Sequence, residues 1–243
     1  MIGIDTLELR DVAKTIDHSL LRPELDLDTV RAGVELALRH DVASATVRPA
    51  DVAWAAELVV GSDVLISTVV GFPHGSHTTR TKASEAEELV AAGAHELDMV
   101  LNIGRLISGD DAYVEADIRA VVEAAQGRLV KVIFENAYLE DTQKIRACEL
   151  SAAAGAGFVK TSTGFASSGA TIDDLRLMRE HSPPHVQVKA AGGVRTLDAL
   201  LEVMNVGVTR IGATATEAIL EDFKARKAGV ASPADVPTPS GAY

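Results

Sequence analysis

Short apolar runs rich in β-branched residues alternate along the chain with longer stretches in which apolar residues recur every three or four positions. The short runs predict eight strands, at residues 15–19, 43–47, 64–70, 95–101, 129–134, 157–161, 186–190 and 210–213. The longer stretches predict eight helices, at residues 28–40, 50–60, 78–92, 111–125, 139–154, 172–180, 197–205 and 216–227. Asp28, Thr171 and Thr196 are candidate N-caps. Parallel strands joined by helices produce this alternation, so we expect an α/β protein.

The number of strand-helix units decides the expected architecture. Eight units within 243 residues match a (β/α)8 TIM barrel, whose typical length is about 250 residues, so we predict a single-domain barrel over residues 1–227. An open doubly wound sheet is the alternative fold. Residues 228–243 are rich in Pro, Ala, Gly and Ser without periodicity, which predicts a flexible C-terminal tail. Its last residue, Tyr243, either frays with the tail or folds back over a site.

The charge of the chain limits its expected partners. With 35 acidic and 23 basic residues the formal net charge is −12, which disfavours nucleic acid and anionic membranes as partners. No apolar stretch reaches the length of a membrane span, and the N-terminus lacks a signal-peptide pattern. The single cysteine, Cys148, excludes an intrachain disulfide and fits a reducing compartment. We therefore expect a cytoplasmic protein.

Three charged residues fall on predicted strands where a TIM barrel carries its chemistry, near the C-terminal ends. Lys160 closes the sixth strand, Lys189 closes the seventh, and Asp98 interrupts the fourth. A single such charge fits a rim salt bridge, but two ammonium groups on neighbouring strands, roughly 4.8 Å apart, would repel each other. Repulsion and burial both lower a lysine pKa, and the resulting free amine attacks carbonyls. We predict a Schiff-base site with Asp98 as proton carrier, and the pattern leaves open which lysine is the nucleophile.

Two glycine-containing loops follow the seventh and eighth strands, at residues 191–196 (AGGVRT) and 212–216 (GATAT). Glycine lets backbone N–H groups approach an anion, and both loops lead into helix N-termini, where anions are favoured. Barrels often bind phosphate at these two loops, so we predict a phosphate site, although ordinary turns also need glycine. Arg195 either contacts the anion or supports its loop. His74 and His77 have no further ligand residues nearby, so we expect no metal site.

Several motifs stand in the order found in one enzyme family. They are IDHSLLRP, VVGFPHG, ELDMVLNIG, KVIFEN, FVKTSTGF and VKAAGGVRT. From about residue 15 to 220 the chain resembles the deoxyribose-phosphate aldolases, class I aldolases that use neither metal nor cofactor. The resemblance implies reversible cleavage of 2-deoxy-D-ribose 5-phosphate to D-glyceraldehyde 3-phosphate and acetaldehyde. It further implies that Lys160 forms the imine, Lys189 tunes it, Asp98 relays protons, and the enzyme is a homodimer.

The same resemblance implies a set of substrate-binding residues. They are Asp17, Ser19, Gly164, Gly192, Gly193, Val194, Arg195, Gly212 and Thr214. Ser19 replaces the family's threonine and keeps its hydroxyl, whereas Ala215 replaces a serine and removes one phosphate donor. Some members end in a tyrosine that reaches the active site, so Tyr243 is a candidate proton relay. Ala215 motivates one alternative, a class I aldolase that prefers another or a non-phosphorylated aldehyde, and a non-catalytic phosphosugar-binding barrel is another.

Overall fold

Eight parallel strands form a closed barrel in which neighbours in the chain are also neighbours in space, and the last strand pairs with the first. The structure is a computed structural model that describes residues 2–230. The strands are β1 (Ile16–Leu20), β2 (Ser44–Val47), β3 (Leu65–Val70), β4 (Glu96–Val100), β5 (Leu129–Ile133), β6 (Phe158–Lys160), β7 (Gln187–Ala191) and β8 (Arg210–Ala213). The predicted (β/α)8 TIM barrel is confirmed, and each observed strand overlaps its predicted range.

Helices surround the barrel on its outer face. They are α1 (Leu9–Ala13), α2 (Leu27–Arg39), α3 (Val52–Leu58), α4 (Thr79–Ala91), α5 (Ile103–Ile107), α6 (Asp111–Ala124), α7 (Asp141–Ala153), α8 (Ile172–Glu180), α9 (Leu197–Asn205) and α10 (Thr216–Lys227). Helices α1 and α5 were not predicted, because five residues are too few to display a helical period. Short 3-10 helices lie at Ile4–Thr6, Pro49–Asp51 and Asn136–Tyr138.

Side-chain caps fix where several of these helices begin. Thr171 and Thr196 accept backbone N–H groups at the start of α8 and α9, as predicted. The prediction of Asp28 as the cap of α2 is wrong. The helix begins earlier, because the side chain of Asp26 accepts the backbone N–H of Thr29 at 2.8 Å. These caps define where α2, α8 and α9 begin.

The apolar core lies between the barrel and the helices, and strand alternation produces it. On β2, Ala45 and Val47 belong to the buried apolar cluster, whereas Ser44 and Thr46 turn toward the barrel interior. The interior is therefore available for polar side chains. Within residues 2–230, no helix is both long and apolar enough to cross a membrane.

Candidate active site

Charged side chains occupy the barrel interior and form one connected cluster, which we call the ionic cluster. Its members are Asp17 on β1, Glu96 and Asp98 on β4, Lys131 on β5, Lys160 on β6, Lys189 on β7 and Arg210 on β8. All are buried except Arg210, whose side chain is 13% exposed. Unpaired charges at such depth would be very costly, so the network of partners is a condition for this interior to exist.

Asp98 joins the two predicted lysines. Its Oδ2 atom lies 2.8 Å from Lys160 Nζ and 2.8 Å from Lys189 Nζ, and the two lysines are register partners on adjacent strands. Lys189 Nζ also contacts Asp17 Oδ2 at 2.5 Å. Lys160 is the last residue of β6, as predicted, whereas Lys189 is the third of five residues in β7 and is followed by two alanines, so the prediction that Lys189 closes its strand is wrong. The structure thus brings together the three residues that the sequence singled out.

The electrostatics separate Lys160 from an ordinary lysine. Burial lowers the pKa of Lys160 to about 8, with Asp98 opposing the shift and the ammonium of Lys189 adding to it. The carboxyl pKa of Asp98 is raised by burial, but Lys131, Lys160 and Lys189 outweigh this and hold it well below its usual range. At neutral pH the site therefore contains a carboxylate beside a lysine with an appreciable neutral fraction.

Three members of the ionic cluster, Lys131, Glu96 and Arg210, were missed by the sequence analysis. Lys131 Nζ lies 2.7 Å from Asp98 Oδ1 and 2.7 Å from Glu96 Oε2. Arg210 contacts Asp17 Oδ1 at 2.5 Å and Glu96 Oε1 at 2.9 Å. Despite burial, the surrounding carboxylates raise the pKa of Lys131, so this lysine stays cationic. A usable signal existed, since Lys131 interrupts the apolar strand LVKVI.

When every member is ionised, the ionic cluster has one more positive charge than negative charges. Four basic side chains meet three carboxylates, and loss of the Lys160 proton makes the two numbers equal. Lys131 and Arg210 have raised pKa values, while that of Lys160 is lowered. The neutral form of Lys160 therefore agrees with the charge count of its surroundings.

Glu135, two residues after the end of β5, is a further residue that the sequence analysis missed. Its backbone is left-handed (φ 59°), which is uncommon for a residue other than glycine. Its carboxylate accepts the backbone N–H of Thr163 at 3.2 Å and also the Thr163 hydroxyl. Burial raises the carboxyl pKa of Glu135, with Thr163 and Lys160 opposing the shift. Glu135 therefore fixes the loop that carries Thr163 into the wall of the cavity.

A cavity opens above the ionic cluster. Of the predicted catalytic and substrate-binding residues, those that line it are Lys160, Lys189, Asp17, Ser19, Gly192, Gly193, Val194, Arg195, Gly212 and Thr214. Asp98 lies beneath them, in contact with both lysines. Gly164 instead lines an adjacent cavity, which it shares with Gly192 and Gly193. Tyr243 and residues 231–242 lie outside the described residues.

The loop after β7 has a backbone that glycine makes possible. Gly192 and Gly193 adopt φ values of 78° and 98°, in the region that other residues avoid. A Cβ atom on Gly192 would lie 2.8 Å from the Cα atom of Gly169. The loop after β7 therefore closely approaches the loop between β6 and α8 that carries Gly169. The predicted glycine loop therefore forms one wall of the cavity that Lys160 lines.

Comparison with known proteins identifies the family. Residues 12–233 match the model of the DeoC/LacD family aldolases. A deoxyribose-phosphate aldolase of Bacillus cytotoxicus is 50% identical over 86% of this chain and 95% of its own length, and one of Rhodopirellula baltica is 48% identical over 89% and 91%. The solved deoxyribose phosphate aldolase of Aeropyrum pernix, described as tetrameric, has 30% identity and a TM-score of 0.84 over 92% of this chain and 95% of its own.

These matches confirm the resemblance found in the motifs, and they agree with a barrel whose interior presents a lysine of lowered pKa to a cavity. They cover nearly the whole chain and nearly the whole length of the relatives. The chain is an aldolase and belongs to the DeoC/LacD aldolase family.

Proposed function

We propose that this aldolase reversibly cleaves 2-deoxy-D-ribose 5-phosphate to D-glyceraldehyde 3-phosphate and acetaldehyde through a Schiff base on Lys160. The observation that carries the proposal is the pairing of Lys160, whose pKa is lowered to about 8, with Asp98 at 2.8 Å beside a cavity. The high identity to deoxyribose-phosphate aldolases supports the choice of substrate. Lys189, although equally buried, is held between two carboxylates, so Lys160 is the better nucleophile.

The chemistry follows from the products. Lys160 Nζ attacks the C1 aldehyde of the open-chain sugar, and loss of water gives an iminium, which serves as electron sink. The C2–C3 bond then breaks as the C3 hydroxyl loses its proton, leaving an enamine on Lys160 and releasing glyceraldehyde 3-phosphate. Protonation of the enamine at C2 and hydrolysis release acetaldehyde. Asp98 contacts both lysines through one oxygen beneath the cavity, so we propose that it receives the hydroxyl proton by relay through Lys189 and a water molecule, and returns protons by the same route.

The far end of the cavity suits the phosphate group. Glycine-rich backbone from the loops after β7 and β8 lines it, together with Arg195 and Thr214. Helices α9 and α10 begin directly after these loops, and their N-termini favour an anion. Thr214 retains one hydroxyl of this wall, whereas Ala215 supplies none. We therefore propose that the sugar lies between Lys160 and these loops, with the phosphate at the loops.

Substrate preference tests the proposed function. We expect kcat/KM for 2-deoxyribose 5-phosphate to exceed that for 2-deoxyribose on the order of 10²-fold, because binding energy from the remote phosphate is used at the reacting carbons. A coupled assay of glyceraldehyde 3-phosphate release and a chemical assay of acetaldehyde measure the two rates. Equal rates would favour an aldolase for non-phosphorylated aldehydes. Binding of the phosphosugar without cleavage would favour the non-catalytic barrel.

Replacing Lys189 with methionine tests the tuning of Lys160. The ammonium of Lys189 contributes to lowering the pKa of Lys160, so its removal should raise that pKa above about 8. Because the neutral amine is the nucleophile, the acid limb of the kcat/KM profile should move to higher pH. Lys189→Arg, which keeps the positive charge, is the matched control and should shift the limb less. If the acid limb does not move in Lys189→Met, Lys189 does not lower the pKa of Lys160 and this prediction is contradicted.

The homodimer and the cytoplasmic location implied by the sequence stay predictions. The tetramer described for the Aeropyrum pernix enzyme belongs to that protein.

A further inference from the structure

Thr46, on β2, has a buried hydroxyl that the mechanism above does not use. Thr46 is 2% exposed, and its Oγ1 atom has no hydrogen-bond partner among residues 2–230. Five buried side-chain atoms of the described chain lack a partner in this way, and only Thr46 among their residues lines the cavity that contains Lys160. A buried hydroxyl without a partner costs free energy, so it invites an explanation.

Other threonines of this barrel satisfy their hydroxyls within the protein. Thr68 Oγ1 donates to the backbone carbonyl of Val47 at 2.9 Å, and Thr161 Oγ1 donates to that of Ala191 at 3.1 Å. On β2 itself, Ser44 Oγ donates to Asp17 Oδ1 at 2.6 Å. Thr46 lies two residues beyond Ser44, on the same inward side of the strand and nearer its C-terminal end. Its hydroxyl is therefore above the ionic cluster and faces the cavity.

The position of Thr46 relative to Lys160 indicates what its hydroxyl meets. In a closed barrel of eight strands in chain order, β2 lies opposite β6, so Thr46 faces Lys160 across the interior. The glycine-rich loops proposed to hold the phosphate follow β7 and β8. A five-carbon sugar joined to Lys160 through C1 and held at its 5-phosphate carries its remaining hydroxyls, on C3 and C4, between these two ends.

We infer that Thr46 is a substrate-positioning residue whose hydroxyl forms a hydrogen bond with a C3 or C4 hydroxyl of the bound sugar. The inference rests on the proposed function, because it assumes a sugar held at Lys160 and at the phosphate loops. A site that supplies a hydrogen-bond partner for a sugar hydroxyl disfavours a ligand that lacks this hydroxyl. Removing the partner from the protein likewise weakens binding of the sugar, because the sugar hydroxyl is then left unpaired. Thr46 would thus act on the sugar and leave the chemistry of the lysine unchanged.

The test compares Thr46→Val, which exchanges the hydroxyl for a methyl group, with Thr46→Ser, which keeps the hydroxyl. In Thr46→Val we expect kcat/KM for 2-deoxyribose 5-phosphate to fall about tenfold, as for loss of one hydrogen bond. Thr46→Ser should stay within about threefold of the parent enzyme, since the donor is retained. The melting temperature of Thr46→Val should equal or exceed that of the parent, because the hydroxyl has no partner to lose among residues 2–230.

A second readout separates sugar binding from lysine chemistry. The rate at which acetaldehyde is trapped on the protein by borohydride needs the lysine but no sugar hydroxyl, so it should be the same in parent and Thr46→Val. We expect a loss of about tenfold in kcat/KM for 2-deoxyribose 5-phosphate, so a Thr46→Val enzyme within about twofold of the parent would overturn the inference. A matching loss of acetaldehyde trapping would also overturn it. A parent enzyme that traps no carbonyl compound would instead overturn the proposed function on which the inference rests.

Discussion

Replacing Lys160 with methionine should lower kcat for cleavage of 2-deoxyribose 5-phosphate by about 10⁴-fold or more, the scale seen when a covalent nucleophile is removed. Methionine fills a similar volume and cannot form an imine. Asp98 keeps Lys131 and Lys189 as partners at 2.7 and 2.8 Å, so its carboxylate stays paired. Residual activity above about 1% of the parent, measured by the coupled assay, would contradict Lys160 as the nucleophile.

The stability of the same variant separates a loss of activity from a loss of folding. In the folded enzyme the pKa of Lys160 is lowered from 10.5 to about 8, so the folded state binds the proton less tightly than the unfolded chain. The resulting destabilisation is fully present below pH 8 and disappears as pH rises from about 8 to 10.5. The melting temperature of Lys160→Met should therefore match or exceed that of the parent at pH 7, and this advantage should shrink toward pH 10.

Replacing Lys131 with methionine should have the largest effect on stability. Lys131 is fully buried between Asp98 and Glu96, and its removal leaves buried carboxylates short of a cation. Breaking one side of such a buried network typically costs about 3–5 kcal/mol of unfolding free energy. Urea denaturation measures the loss. We also expect the acid limb of kcat/KM to move to higher pH, because the positive charge of Lys131 contributes to lowering the pKa of Lys160.

The double variant Lys131→Met with Glu96→Gln is the control for this interpretation. Removing one negative charge together with the positive one restores the charge count of the ionic cluster, so part of the lost stability should return. Lys224→Met, which removes an exposed ion pair with Glu221, should leave the denaturation midpoint nearly unchanged. A Lys131→Met protein as stable as the parent would contradict the account of the ionic cluster.

The sequence predicts the barrel well because the signals for strands and helices are local. Each strand appears as a short apolar run, and the order of elements is enough to select the fold. Lys160 could be found because it ends such a run, and Lys189 because it interrupts one. Helix α2 begins before its predicted cap, since Asp26 and Asp28 are equally suitable in sequence and only the backbone geometry selects between them.

The lower part of the site was not predictable in the same way, because it depends on which strands face one another. Lys131 and Asp98 are register partners, and Arg210 reaches across to Glu96 from β8, at the start of its strand. A search confined to strand ends overlooks both basic residues. Thr46 illustrates a second limit. Its significance lies in a hydrogen bond that the protein does not form among residues 2–230, and no pattern of residues encodes that.

Trapping the covalent intermediate tests the central claim most directly. The enzyme is incubated with 2-deoxyribose 5-phosphate and sodium borohydride, digested, and analysed by peptide mass spectrometry, with Lys160→Met treated in parallel. We expect a reduced adduct on the peptide containing Lys160 and no corresponding adduct in the variant. An adduct on Lys189 instead, or none on the folded parent enzyme, would contradict the central claim.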